Sequence, residues 1–173
     1  MTVLVAFATI EGQTGKIAGF VDELVREAGQ ETELVDTSER TTDVSFDNVD
    51  KVILAAPVHE RKHPKPFEVF LSGHASELAD REVLLLSVSL SAAFPEGMKE
   101  AHEYVVEMKM RTGLDPTAEV LVGGAIRTHR YDYYAQQVLR HVVLRGRDYD
   151  PGQSEHEFTD WDAIRMEVTR FLG

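Results

Sequence analysis

The run TVLVAFATIEGQTGKIA, Thr2 to Ala18, decides the architecture. Thr2 to Thr9 is a nearly continuous apolar, β-rich run, the composition of a strand covered on both faces. A turn containing Gly12 follows, and Ile17, Phe20, Val21, Leu24 and Val25 then recur at helical spacing until Gly29. Strand, glycine turn and amphipathic helix in that order open an alternating α/β chain.

The alternation continues outward. TELVD is a short second strand, followed by the polar connection TSERTTDVSFDNVD. KVILAA is the third strand, and PFEVFLSGHASELA supplies Phe67, Phe70, Leu71 and Leu78 for one helix after a double-proline loop. EVLLLSVSL is the fourth strand, and the helix PEGMKEAHEYVVEMKMRTG has Pro95 near its start and Gly113 at its end. AEVLVGGA is the fifth strand. DWDAIRMEVTRFL is the last helix, with Thr159 or Asp160 as N-cap and Ile164, Val168 and Phe171 facing inward. This order predicts a doubly wound α/β fold with a five-stranded parallel sheet of order 2-1-3-4-5, one domain over residues 1–173. Ligands in such sheets sit at the carboxyl ends of strands one, three and four. The loops that matter are therefore Thr9 to Gly15, Pro57 to Lys65 and Ser87 to Pro95.

Composition narrows the function. A chain of 173 residues with 43% hydrophobic content supports one well-cored domain. A net charge of −12 lacks the basic surface that phosphate neutralisation needs, so no nucleic-acid partner is expected. With no cysteine there are no disulfides, thiol nucleophiles or thiolate metal ligands. No apolar run approaches the ~20 residues of a membrane span, and the start has no basic signal region, so a cytoplasmic address is expected.

The loop VHERKHPKP, Val58 to Pro66, holds His59, Glu60 and His63 in the HExxH spacing of zinc proteases, with Glu82 as a possible third ligand. That motif works on a helix, where both histidines share one face. Pro64 and Pro66 oppose a helix continuing past His63, and KVILAAPV runs as a strand straight into His59. No metal site is expected.

The first loop, TIEGQTGK, ends like half of a Walker A motif, but that motif wants Gly where Ile10 stands and Ser or Thr where Ile17 stands. What remains is TxxGxTG: Thr9 and Thr14 offer hydroxyls, Gly12 allows a tight backbone, and the amides of residues 10–15 lie at a helix N-terminus. Together these form a nest for a terminal phosphate without any Lys or Arg.

At this turn the chain resembles the phosphate loop of flavodoxin-like proteins. The stretches GGAIRTHRYDYY after strand five and FTDWDAI at the last helix extend the resemblance, more narrowly, to the short, quinone-dependent protoporphyrinogen dehydrogenase family. The resemblance implies FMN as cofactor, its phosphate cradled by Thr9, Ile10, Glu11, Gly12, Gln13 and Thr14. It places Pro57, Val58 and His59 on one side of the flavin ring and Ser87, Val88, Ser89 and Leu90 on the other. It also implies electron transfer from a porphyrinogen through FMN to a quinone, as part of heme biosynthesis. Two loops depart from the family pattern. VHERKHPKPF keeps His and Phe67 but lacks the family's tyrosines, and SAAFPEG is neutral then acidic where the family is basic. A His beside the ring would titrate near neutral pH and shift the flavin potential.

AIRTHRYDYYAQQVLRHVVLRGRDYDPGQSEHEF, which carries the insert 126–158, is too long for a simple connection. Within it Tyr134, Val138, Leu139, Val142 and Val143 share helical spacing beside Arg140, Arg145 and Arg147. Such a basic amphipathic helix suits substrate propionates or an anionic membrane surface, giving a peripheral contact at the inner face of the cell membrane through 131–147. Arg127, Arg130 and Tyr131 match the family here and are the expected substrate-side residues. The competing expectation is a flavodoxin-like electron carrier or flavin-binding module with no substrate of its own.

Overall fold

The computed structural model describes residues 1–39, 43–127 and 155–173. Strands β1 (Thr2–Phe7), β2 (Glu31–Asp36), β3 (Val49–Pro57), β4 (Glu82–Ser89) and β5 (Ala118–Gly123) form a parallel sheet of order β2-β1-β3-β4-β5. This is the expected order. The register pairs Phe7 with Ala55, Pro57 with Val88 and Ser89 with Gly123, which brings the ends of four strands to one edge.

Side chains alternate across a strand, so each strand feeds two cores. Leu84 and Leu86 point to the face covered by α1 (Gln13–Glu27) and by α5 (Trp161–Leu172), among Ile17, Val21, Ile164 and Val168. Leu85 points to the opposite face, where α2 (Lys65–Gly73) and α4 (Met98–Thr112) bring Phe67, Leu71, Val105 and Met108. All of these are buried. Burial of each such side chain contributes about 1.5–3 kcal/mol, and the two-sided burial is why the strands read as unbroken apolar runs.

Several elements differ from expectation. The helix expected after the double proline starts between the two prolines, with Pro66 in its first turn, and breaks at His74 (φ −115°, ψ 27°) into α2 and the short α3 (Ala75–Ala79). The His74 ring packs against Phe46 and Phe70, with centroids 5.0 and 4.8 Å away. Pro95 enters a 3₁₀ turn, Pro95–Gly97, one turn ahead of α4. That turn needs glycine, since a Cβ on Gly97 would lie 2.1 Å from the Ser91 carbonyl oxygen. In α5 Ile164, Val168 and Leu172, each four apart, are buried, and Phe171 packs half-buried against the same core, with Lys51 Nζ 5.0 Å above its ring. Asp160 is the N-cap, accepting from the Ala163 amide at 3.0 Å.

A two-stranded antiparallel stalk was not foreseen. β6 (Ala125–Arg127) pairs with β7 (Glu155–Glu157), joining the two ends of the insert. The approach is close: a Cβ on Gly123 would lie 2.7 Å from the Phe158 carbonyl oxygen, and the Phe158 amide donates to the Gly124 carbonyl at 2.9 Å. The amphipathic stretch 134–143, with Arg130 and Tyr131, lies outside the described residues.

Candidate functional site

A cleft opens at the carboxyl edge of the sheet where β1 and β3 lead in opposite directions, the position at which doubly wound sheets bind ligands. Thr9, Ile10, Glu11, Gln13 and Thr14 line it from the first loop, Pro57, Val58 and His59 from the second, and Val88, Ser89 and Leu90 from the third. Gly124 and Ala125, at the root of the stalk, complete the wall. Its accessible volume is about 90 Å³.

The first turn is shaped by Gly12, which adopts φ 97°, ψ −16°, a left-handed conformation that costs glycine least. The Thr9 hydroxyl accepts from the Gly12 amide at 3.0 Å and fixes the turn. No side chain caps α1 at this end. Helix amides point out of the N-terminus and carry its partial positive charge, so the turn presents donors to the cleft that Gln13 and Thr14 line.

The one cation in this turn is already engaged. Lys16 Nζ lies 2.6 Å from Glu157 of β7, and the same carboxylate accepts from Trp161 Nε1 at 2.7 Å and from Gln13 Nε2 at 3.2 Å. Partial burial pushes the Glu157 carboxyl upward, but the bonds from Lys16, Trp161 and Gln13 outweigh it and hold it below the ordinary carboxylate range. Gln13 Nε2 also donates to the Thr159 hydroxyl at 2.9 Å, which in turn donates to the Gly123 carbonyl at 2.7 Å. The start of α1 and the root of the stalk are thus cross-linked. No Lys or Arg lines the cleft among the described residues.

The second loop is built differently. His59 and Lys62 exchange backbone hydrogen bonds of 2.9 and 3.1 Å, and Glu60 and Arg61 between them both have positive φ, 50° and 69°. This is a tight hairpin turn of the primed kind, so His59 and His63 do not share a helical face. Glu82 opens β4 at the opposite edge of the sheet and pairs with Lys51 at 3.4 Å. Among the described residues no cluster of His, Asp and Glu could hold a metal ion.

Ser87, expected beside the ring, lies elsewhere, and so does the second histidine of the loop. His63 is 2% exposed, with Nε2 2.8 Å from the Ser87 hydroxyl. Ser87 points to the α2–α4 face, as alternation along β4 requires, and does not line the cleft. Burial, with the Arg111 guanidinium nearby, pushes His63 down to about 4, away from the near-neutral titration expected of a ring-side histidine. His59 does line the cleft, whereas Gly12 shapes the turn without lining it. Arg127 is the last residue of β6, and Arg130 and Tyr131 are outside the described residues. Gly124 and Ala125 were missed; the signal was the glycine doublet ending strand five, a spacing that admits close backbone approach.

A family model of the flavodoxin domain matches residues 4–151. The chain belongs to the flavodoxin family. Among flavodoxins of known structure, the oxidised Flavodoxin 1 of Bacillus cereus superposes with a TM-score of 0.60 at 16% identity, covering 99% of this chain and 97% of that one. A Fusobacterium nucleatum flavodoxin bound to flavin mononucleotide gives 0.52 at 12% identity, covering 99% and 94%. In sequence, the chain is similar to the protoporphyrinogen IX dehydrogenase (quinone) of Escherichia coli strain K12, 24% identical over 165 residues, 95% of this chain and 91% of the relative. The flavodoxin match ends before β7 and α5, the elements that cross-link the stalk to the first turn.

Proposed function

We propose that the cleft binds FMN, with its phosphate in the turn Thr9–Thr14, and that the chain is an FMN-dependent oxidoreductase. The observation that carries this is the uncapped start of α1, held open by Gly12 at the switch point of a flavodoxin sheet. An anion at a helix N-terminus needs no cation, which agrees with the engagement of Lys16 by Glu157. Bound FMN supplies the redox chemistry. The chain's own part is to position it: Thr9 to Thr14 hold the phosphate, while Pro57, Val58 and His59 flank the ring from one side and Val88, Ser89 and Leu90 from the other. Ser89 is restrained for this, since its hydroxyl accepts from the Ala92 amide at 3.1 Å.

The finer reading is a dehydrogenase that takes electrons from a porphyrinogen and passes them to a quinone. It is supported by the similarity to the Escherichia coli enzyme over 95% of the chain. Arg127 stands where the stalk leads into the insert, and Arg127, Arg130 and Tyr131 would meet the substrate's carboxylates. The stretch 131–147 would bring the protein to the membrane in which quinone resides. No helix among the described residues is long and apolar enough to cross a membrane. The second reading, an electron carrier without its own substrate, is favoured by the net charge of −12 and by a cleft wall with no Lys or Arg among the described residues.

Turnover separates the two. The FMN-loaded protein, given protoporphyrinogen IX and a soluble naphthoquinone without oxygen, is expected to produce protoporphyrin IX catalytically. Saturable FMN binding with no porphyrin formed supports the carrier; no FMN binding overturns both.

A further inference from the structure

Thr159 does not line the cleft, yet its hydroxyl is bonded on two sides. It donates to the Gly123 carbonyl at the end of β5, at 2.7 Å, and accepts from Gln13 Nε2 at the start of α1, at 2.9 Å. A hydroxyl has a single hydrogen to give. Because that hydrogen goes to Gly123, Thr159 can only accept from Gln13. The Glu157 carboxylate, 3.2 Å from the same nitrogen, also only accepts. Both neighbours call for a donor, which fixes the orientation of the Gln13 side-chain amide and engages both of its hydrogens.

The anchor behind this bond is the sheet. The Phe158 amide donates to the Gly124 carbonyl at 2.9 Å, so residues 158 and 159 are each fastened to the glycine doublet that ends β5. Gln13 and Thr159 are 6% and 9% exposed, which shelters the bond between them from water. Gln13 is also the first residue of α1, and it lines the cleft. Its backbone therefore belongs to the turn that receives a ligand, while its side-chain amide is held by two residues that do not line the cleft. The turn is braced by two hydroxyls, Thr9 on the Gly12 amide and Thr159 on Gln13, from opposite ends of the chain.

We infer that Thr159 is a positioning residue for the phosphate turn, acting through the side chain of Gln13 to hold the first backbone amide of α1 toward the ligand. The inference rests on the FMN reading of the cleft. Binding groups keep their aim only when the bonds that support them fix it. Without the Thr159 hydroxyl, Gln13 Nε2 keeps a buried hydrogen with no acceptor, and an unpaired buried donor is costly enough to move toward another partner. Residue 13 moves with it, and its amide leaves the position that a phosphate needs. The second and third loops, which flank the ring, are untouched, so the loss falls on the phosphate alone.

The test titrates FMN and, separately, riboflavin into the parent, Thr159→Val and Thr159→Ser, followed by flavin fluorescence. Valine keeps the shape of threonine and removes the hydroxyl; serine restores it. Thr159→Val should bind FMN about tenfold more weakly, with riboflavin affinity within about twofold of the parent's, and Thr159→Ser should recover FMN binding. Gln13→Met breaks the same bond from the other side and keeps the backbone amide. It should lose a similar factor, and the double variant with Thr159→Val should lose no more than either single change. If the valine variant does not fold, Gln13→Met decides by the same comparison of FMN with riboflavin. Parent-like FMN affinity in the variants, equal loss of FMN and riboflavin, or losses that add in the double variant would overturn the inference while FMN binding by the parent stands. A parent that binds no FMN overturns the underlying reading as well.

Discussion

The first and second loops leave the same edge of the same sheet and use their backbones in opposite ways. In the first, strain falls on Gly12, the hydroxyl of Thr9 braces the turn, and α1 starts without a cap. In the second, a hairpin satisfies its own amides, strain falls on Glu60 and Arg61, and His63 is drawn into the core against Ser87. Loop two is also fastened outward: Arg61 pairs with Glu100 at 3.0 Å and lies 5.3 Å above the Tyr104 ring. A loop that leads into a helix start without a side-chain cap is equipped to bind. A loop that satisfies its own amides serves as a wall.

The largest expected effect strikes the first loop. Gly12→Val forces a β-branched residue into the left-handed region at φ 97°, at a cost of about 1–3 kcal/mol. Because the turn must relax away from its binding shape, FMN affinity should fall roughly ten- to hundredfold, measured by fluorescence titration, while the far-ultraviolet circular dichroism stays unchanged. An affinity within about twofold of the parent would dissolve the contrast between the loops.

The next effect belongs to the second loop and concerns stability. A neutral His63 with its pKa lowered to about 4 binds fewer protons than the unfolded chain between that value and 6.5. Stability from this residue is therefore full above pH 6.5 and is lost as pH falls toward 4. Urea unfolding at pH 5.0 and 7.5 should show a difference of about 2 kcal/mol from this residue. The difference should be absent in His63→Asn, and FMN affinity should hardly change in that variant.

A smaller effect compares two helix starts. Asp160 caps α5 where α1 has no cap, so Asp160→Ala should cost about 1 kcal/mol of stability by thermal unfolding. FMN affinity should be preserved, because α5 does not open onto the cleft. The smallest change is a gain. Glu60→Asn places a residue that tolerates positive φ in the hairpin and should raise the thermal midpoint by a degree or a few (~1–4 °C) without altering FMN binding.

The sequence made the sheet legible because its strands are buried on both faces and its helices carry a 3.6-residue stripe. Leu84, Leu85 and Leu86 announce two cores at once. The turn of the first loop was legible because its geometry is local: Gly12 takes the left-handed conformation and its amide donates to the Thr9 hydroxyl within three residues. The second was not, because Glu60 and Arg61 lack the Asn-Gly signal of a primed turn. Nothing local indicates that one of two similar histidines enters the core while the other lines the cleft. The stalk was invisible for a different reason, since β6 and β7 are three-residue strands paired across a long insert. Glu157 and Thr159, which tie that stalk to α1, could be found only once the pairing was known.

The central claim is that the first loop is a phosphate site, and comparing FMN with riboflavin, which lacks the phosphate, tests it most directly. Fluorescence titration of the purified protein should give saturable FMN binding and riboflavin binding weaker by about tenfold or more, with inorganic phosphate competing against FMN. Equal affinity for the two, or no binding of either, would contradict the assignment of Thr9–Thr14.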